Sequence, residues 1–170
     1  MHLLKSFWSI ALFSVLLAPP AAGSSQGGTV TIVPELVFGG SSQGIGHLKL
    51  GLGKARPFTV QSRGTRQADG GFRLDQVVRF DGKPPLYRSW LMWSTSAGNY
   101  SATLTDAAGP VVGRAVGSRF TLQYPLNHWG LVMHQTLDLA PDGKTIANLA
   151  NIRWLGLQIG QLTETITLKR

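Results

Sequence analysis

The chain has 170 residues, a length that suits one domain. Its 43% hydrophobic and 14% charged content excludes a disordered tail or a coiled coil. It has no cysteine, which excludes a disulfide framework, a thiolate metal site, a thiol nucleophile and lipid attachment through cysteine. Sixteen Lys and Arg against eight Asp and Glu give a net charge of +8.

In chain order, the first signal is a targeting segment. Lys5 supplies a positive start, and Phe7 to Ala18 form an uncharged apolar run of 12 residues. A membrane-spanning helix needs about 18 or more, so the run is too short to anchor. Pro19 and Pro20 break it, and Ala21-Ala22-Gly23 offers the small residues that signal peptidase requires. Residues 1–23 are therefore expected to be a signal peptide, cut before Ser24 or within two residues of that point. The expected compartment is the periplasm, with no lipid anchor. Residues 24–34 read as a linker that ends in a short edge strand, and residues 35–170 as one β domain.

Beyond the linker, period-2 alternation recurs every 8–14 residues. Leu48, Leu50 and Leu52 alternate with Lys49, Gly51 and Gly53. Phe58, Val60 and Ser62 form a second set, and Phe72, Leu74, Gln76, Val78 and Phe80 a third. Residues 86–95 are apolar on both faces. Further strands are expected over 99–105, 111–116, 119–124, 131–139, 146–154 and 157–168. Turn chemistry separates them: Asp69-Gly70, Asp81-Gly82, Gly98-Asn99, Gly109-Pro110 and Asp142-Gly143. About ten short strands with tight links predict an antiparallel up-and-down meander. Closure removes the exposed edges, so the expectation is a small barrel or a strongly curved sheet, with a two-sheet sandwich as the alternative.

Two motifs in the glycine-rich stretch Gly39–Gly46 are set aside. A dinucleotide loop needs a helix after it and an acid about 20 residues on. Here His47-Leu48-Lys49-Leu50 alternates like a strand, and the later neighbourhood is Arg63 to Gln67. The Gly40-Ser41-Ser42-Gln43-Gly44 match to a nucleophile elbow lacks its strand-to-helix turn. The stretch reads as a flexible glycine-rich connection.

Site chemistry is sparse. His47, His128 and His134 have no metal-like spacing, and no metal or cofactor is expected. Basic residues concentrate between Lys49 and Arg88 and read either as a solvated basic face with no specific partner or as a match to an anionic membrane surface; an exported protein has little occasion to meet nucleic acid. Arg88 is the sharpest feature. A turn at Gly82–Pro85 pairs residues near 78 with residues near 88, and puts Arg88, Trp90 and Met92 on the buried face of Leu74, Gln76 and Val78. A guanidinium there needs compensation, from Gln76, from Glu164 or from an anionic ligand. Trp90, Trp93, Trp129, Trp154 and Tyr100 are candidate cavity aromatics. The candidate ligand-binding set is Arg88, Trp90, Gln76, Tyr100 and Glu164, and no catalytic residue is assigned. Asp106 and the glycines at 109, 113 and 117 are assigned to folding.

From about Leu36 onward the chain resembles an uncharacterised proteobacterial envelope family, often lipoproteins, with a calycin-like (lipocalin-like) barrel. The likeness lies in Gly44-Ile45-Gly46-His47-Leu48-Lys49, Leu74-Asp75-Gln76, Arg88-Ser89-Trp90, Gly98-Asn99-Tyr100 and Asp106-Ala107-Ala108-Gly109-Pro110-Val111. Near the end it continues in Leu139-Ala140-Pro141-Asp142-Gly143, Asn148, Leu155-Gly156 and Glu164. The resemblance implies a fold and a compartment. It implies no catalytic residues. The expected function is a small exported barrel that binds an apolar or anionic-amphipathic molecule such as a lipid, or that has an interaction role. The alternatives are a barrel enzyme (isomerase, cyclase or hydrolase) using Arg88 and Glu164, or a filled structural barrel.

Overall fold

A computed structural model describes residues 31–169; the signal peptide expected over 1–23 lies outside the described residues. A four-residue helix, α1 (Pro34–Val37), precedes ten strands. These are β1 (Gly40–Leu50), β2 (Arg56–Arg66), β3 (Phe72–Phe80), β4 (Leu86–Ser96) and β5 (Asn99–Leu104), then β6 (Val111–Val116), β7 (Arg119–Pro125), β8 (Leu131–Leu139), β9 (Thr145–Trp154) and β10 (Leu157–Lys169). Each strand pairs antiparallel with its neighbours in sequence, and β1 pairs with β10 to close the barrel. Closure leaves no free sheet edge, and the sandwich alternative falls away.

The period-2 pattern puts one face of every strand inside. In β5, Tyr100, Ala102 and Leu104 are buried while the residues between them are exposed. In β7, Phe120, Leu122 and Tyr124 point inward. Phe120, Ile146 and Val111 are almost fully removed from water, and a large apolar side chain so placed contributes roughly 2–3 kcal/mol. The connections are made by local chemistry. At the β8–β9 turn, Asp142 Oδ1 accepts hydrogen bonds from the Lys144 and Thr145 amides, while Gly143 takes a φ of 63°. Those bonds hold the Asp142 carboxyl below the usual carboxylate range.

Up-and-down topology sends alternate connections to opposite ends. At one end, α1 and its flanks plug the barrel. Ile32, Pro34, Val37 and Phe38 are buried, the Ile32 amide donates to Gly117 O at 2.8 Å, and Tyr100 Oη donates to Glu35 Oε2 at 3.3 Å. Residues 31–34, read from sequence as linker, are thus part of the plug, because Ile32 and Pro34 have apolar surface to bury. The loops 51–55, 81–85, 105–110, 126–130 and the turn 155–156 gather at the other end.

The glycine-rich stretch is the main departure from the sequence reading. It is no flexible connection: β1 starts at Gly40, and Ser42, Gly44 and Gly46 face inward. Its glycines are there for space. A Cβ on Gly46 would lie 2.6 Å from Phe58 Cζ and would overlap the Thr163 carbonyl oxygen. Leu50 and Leu52, expected to be buried with Leu48, are exposed, Leu50 at the last pair of the β1–β10 ladder and Leu52 in the loop beyond it.

Candidate functional site

The barrel encloses a cavity of about 450 Å³ that reaches from Phe38 at the plugged end to Leu86 and Leu126 at the open end. That volume lies within the usual range for small-molecule sites, roughly 300–1,000 Å³. Its wall is mainly aliphatic and aromatic: Phe58, Phe72, Trp90, Phe120, Leu122 and Ile152 contribute from five strands. Into this wall the chain inserts a few polar side chains, at positions where the alternation calls for apolar ones.

Arg88 is the cation among them. It sits third from the open end of β4, and its register partner is Gln76. The parity argued from sequence holds, and the register is two residues shorter than expected: Val78 faces Leu86. The guanidinium carbon lies 5.3 Å from the centroid of the Trp90 ring. Arg88 Nε is 3.4 Å from Asp106 Oδ1 in the turn between β5 and β6, yet the approach is too oblique for a hydrogen bond. Nε is buried and has no hydrogen-bond partner within the protein. An idle buried donor costs on the order of 1–3 kcal/mol.

The expected partners of Arg88 are engaged elsewhere. Gln76 Oε1 accepts from Trp90 Nε1 at 2.7 Å, and its Nε2 donates to Ser62 Oγ at 3.2 Å. Glu164 Oε2 accepts from Asn148 Nδ2 at 2.7 Å, and Asn148 Oδ1 accepts from Gln135 Nε2 at 3.0 Å. The three side chains form a chain across β8, β9 and β10. Burial pushes the Glu164 carboxyl above its ordinary range; the Asn148 hydrogen bond and the Arg88 charge pull the other way. Gly44 makes room for it: a Cβ there would overlap Glu164 Oε1 and lie 2.7 Å from Cδ. Tyr124 also faces the cavity, its ring edge-on to Trp90 at 5.5 Å, and burial raises its hydroxyl pKa against the pull of the Arg88 charge.

Of the residues singled out by sequence, Arg88, Trp90, Gln76 and Glu164 line this one cavity. Tyr100 does not. It packs edge-on against Phe120 at 5.4 Å, and burial and the neighbouring Glu35 charge push its hydroxyl up to about 12. Trp93, Trp129 and Trp154 are not cavity aromatics either. Trp93 has the opposite parity to Trp90, and Trp129 and Trp154 lie exposed at the open end. Asp106, assigned to folding, belongs to the cavity lining through its ion pair with Arg88. Asn148, Gln135 and Tyr124 were missed as site residues. Asn148 and Gln135 could have been found by the test that found Gln76, a polar residue in an inward apolar stripe.

Fold and cavity together define a closed, ten-stranded antiparallel barrel of the lipocalin-like kind, with an internal chamber and a charged wall. The chain belongs to the family described as protein of unknown function (DUF3833), whose profile matches residues 21–169. No curated protein matches it. Among solved structures, it is similar to the S-type phycobiliprotein lyase CPES from Guillardia theta. The identity is 7% and the TM-score 0.64, over 80% of this chain and 90% of the lyase. It is also similar to a DUF3598-family protein of unknown function from Nostoc punctiforme. That match has 12% identity and a TM-score of 0.62, over 87% of this chain and 53% of the other. A third neighbour is Rv2717c from M. tuberculosis, at 14% identity and TM-score 0.61, over 82% of this chain and 99% of the other. At these identities the likeness is one of fold.

Proposed function

We propose that this barrel is a carrier or binding module for one amphipathic anion. Its apolar body would occupy the chamber, and its acidic head would lie against Arg88. One observation carries the reading: a partly buried guanidinium, 3.4 Å from an Asp106 carboxylate oxygen, lines an apolar cavity of ligand size. An acidic head would give the guanidinium a charge-assisted partner, worth roughly 1.5–3 kcal/mol. Trp90 and Tyr124 flank the head position, and Gln76 holds the Trp90 indole in place through its own hydrogen bond. The same type of barrel occurs in a phycobiliprotein lyase.

The test is calorimetric titration with palmitate as the probe acid. Arg88→Met keeps most of the length and removes the charge. We expect palmitate affinity to fall about tenfold or more, with the melting temperature nearly unchanged, because Asp106 is exposed and already hydrated. Equal palmitate binding by both proteins would overturn the reading. A large loss of stability would mean that Arg88 is satisfied internally.

Glu164 favours one second reading. A carboxyl held by Asn148, with its pKa raised by burial, in the same chamber as a cation, is suited to donate or accept a proton. An isomerase, cyclase or hydrolase would use that pair. Loss of turnover in Glu164→Gln with binding retained would favour it over a carrier.

Export to the periplasm forms part of the reading. It rests on Lys5, the apolar run from Phe7 to Ala18 and the small residues before Ser24. The intact mass of the exported product should correspond to a chain starting within two residues of Ser24, and a product still starting at Met1 would refute the cut.

A further inference from the structure

The exposed apolar side chains are unevenly spread. Among the described residues, fourteen large hydrophobics are exposed, and nine of them lie in or beside the loops of the open end. Leu52, Trp129, Leu155 and Leu157 are between 70% and 106% exposed, with Leu50 and Trp154 beside them. The plugged end has only Leu36 and Val116. Isolated exposed apolar residues are ordinary, but a concentration around one mouth is not.

Leu155 adds an independent sign. It occupies the first position of the two-residue β9–β10 turn with φ 48°, and it is the one non-glycine residue with positive φ among the described residues. Gly156 follows at φ 88°. Such a turn takes Asn or Asp first, and a left-handed leucine costs roughly 1–2 kcal/mol. The chain therefore carries backbone strain at a hairpin tip to present an apolar side chain to solvent. That side chain leans across Gly130, in the neighbouring loop.

Charge is asymmetric in the same sense. Lys49, Lys54, Arg56, Lys83 and Arg153 are exposed at the open end, with Asp81 and Asp106 the only acids there. At the plugged end Glu35, Asp69, Asp75, Asp138 and Asp142 nearly balance Arg66, Arg73, Arg114, Arg119, Lys144 and Lys169. Apolar tips among uncompensated cations match an anionic bilayer, where tips enter the interface and Lys and Arg meet head groups at about 1 kcal/mol each.

We infer that the open end docks on anionic phospholipid membranes, with Leu52, Leu155, Leu157 and Trp129 entering the interface and the chamber mouth facing the bilayer. This inference does not depend on the cargo reading. Vesicle binding is measured without any added acid, and Arg88→Met should leave it intact.

The experiment is flotation of the full chain with vesicles of phosphatidylglycerol and phosphatidylcholine, against pure phosphatidylcholine. Binding should be at least about tenfold tighter to the anionic vesicles and should weaken with salt. Leu155→Asn combined with Leu52→Ser should reduce it by a further factor of about ten. Leu155→Asn suits the turn better than the native residue, so its melting temperature should hold or rise, and lost binding cannot then be assigned to misfolding. Binding that survives both substitutions, as it would if the Phe7–Ala18 run carried it, would overturn the inference. So would equal binding to both kinds of vesicle. A dimer in sedimentation velocity that the same substitutions dissociate would also overturn it, because the patch would then be an interface between two copies.

Discussion

If Gly44 exists to house the Glu164 carboxylate, its replacement should be costly only while Glu164 is present. In Gly44→Ala the new Cβ takes the position of Oε1, with Cδ only 2.7 Å away. The obstruction is the end of a flexible side chain, so the carboxylate would swing out and the β1 backbone would stay. The price is the Asn148 hydrogen bond, about 1.5–3 kcal/mol for a bond to a charged group. Against it, alanine in a strand gains about 0.5–1 kcal/mol over glycine. The net cost should be about 1–2 kcal/mol, read as the shift in urea midpoint at pH 7, or as roughly 4 °C of melting temperature per kcal/mol. With Glu164→Ala in the background, the same substitution should be neutral or stabilising by up to about 1 kcal/mol. The coupling across the cycle would then be about 1.5–3 kcal/mol. Gly46→Ala is the internal control. Its Cβ would meet the Phe58 ring and the Thr163 backbone, so it should destabilise in both backgrounds. Gly44→Ala costing the same with and without Glu164 would refute the account of the slot.

Two further outcomes follow from the same wall. Because burial raises the Glu164 pKa above its ordinary 4.5, its contribution to stability is present below that value and is lost as pH rises through the folded-state pKa. Glu164→Gln lacks this loss, so the gap in melting temperature, variant minus parent, should grow in the variant's favour from pH 4 upward; a gap independent of pH would contradict the burial argument. Gly113 lies where a Cβ would come within 3.0 Å of the Phe120 ring and 3.1 Å of Tyr100 Cβ, so Gly113→Val should lower stability by about 1–3 kcal/mol or more in urea unfolding.

The strands that alternate cleanly were legible from sequence, and β3 with β4 is the clearest case. Phe72, Leu74, Val78, Trp90 and Met92 carry the inward face, so the side taken by Arg88 and Gln76 followed from parity alone. The register did not, because loop length and not hydrophobicity sets it: five residues between Phe80 and Leu86 place Arg88 beside Gln76. Strand β1 escaped the pattern for a different reason. Its inward positions are Ser42, Gly44 and Gly46, which show no apolar periodicity because their volume is filled by Glu164 and Phe58 from neighbouring strands. The partners of Arg88 were also out of reach. Glu164 was read as its counter-ion since few acids were available, but Asn148 lies directly opposite Glu164 in the β9–β10 ladder and takes the carboxylate first. The tryptophans of the described residues divide by position: Trp90 lies inward in mid-strand, while Trp154, which shares the parity of Ile152 but ends β9, and Trp129 are exposed at the open end.

The way the barrel closes ties the site to the history of the chain. Nine of the ten strand pairings join neighbours in sequence, each across a short turn, and only the β1–β10 seam joins residues more than a hundred positions apart. That seam closes the longest loop of the domain and is the natural last zipper of its assembly. Glu164 lies on it, opposite Gly46 and against Gly44. A nascent meander with nine hairpins formed would already have Asn148 beside Glu164, but no slot for the carboxylate and no enclosed chamber. The enclosed chamber and the seat of the Glu164 carboxylate are therefore products of completion, present only once β1 has met β10.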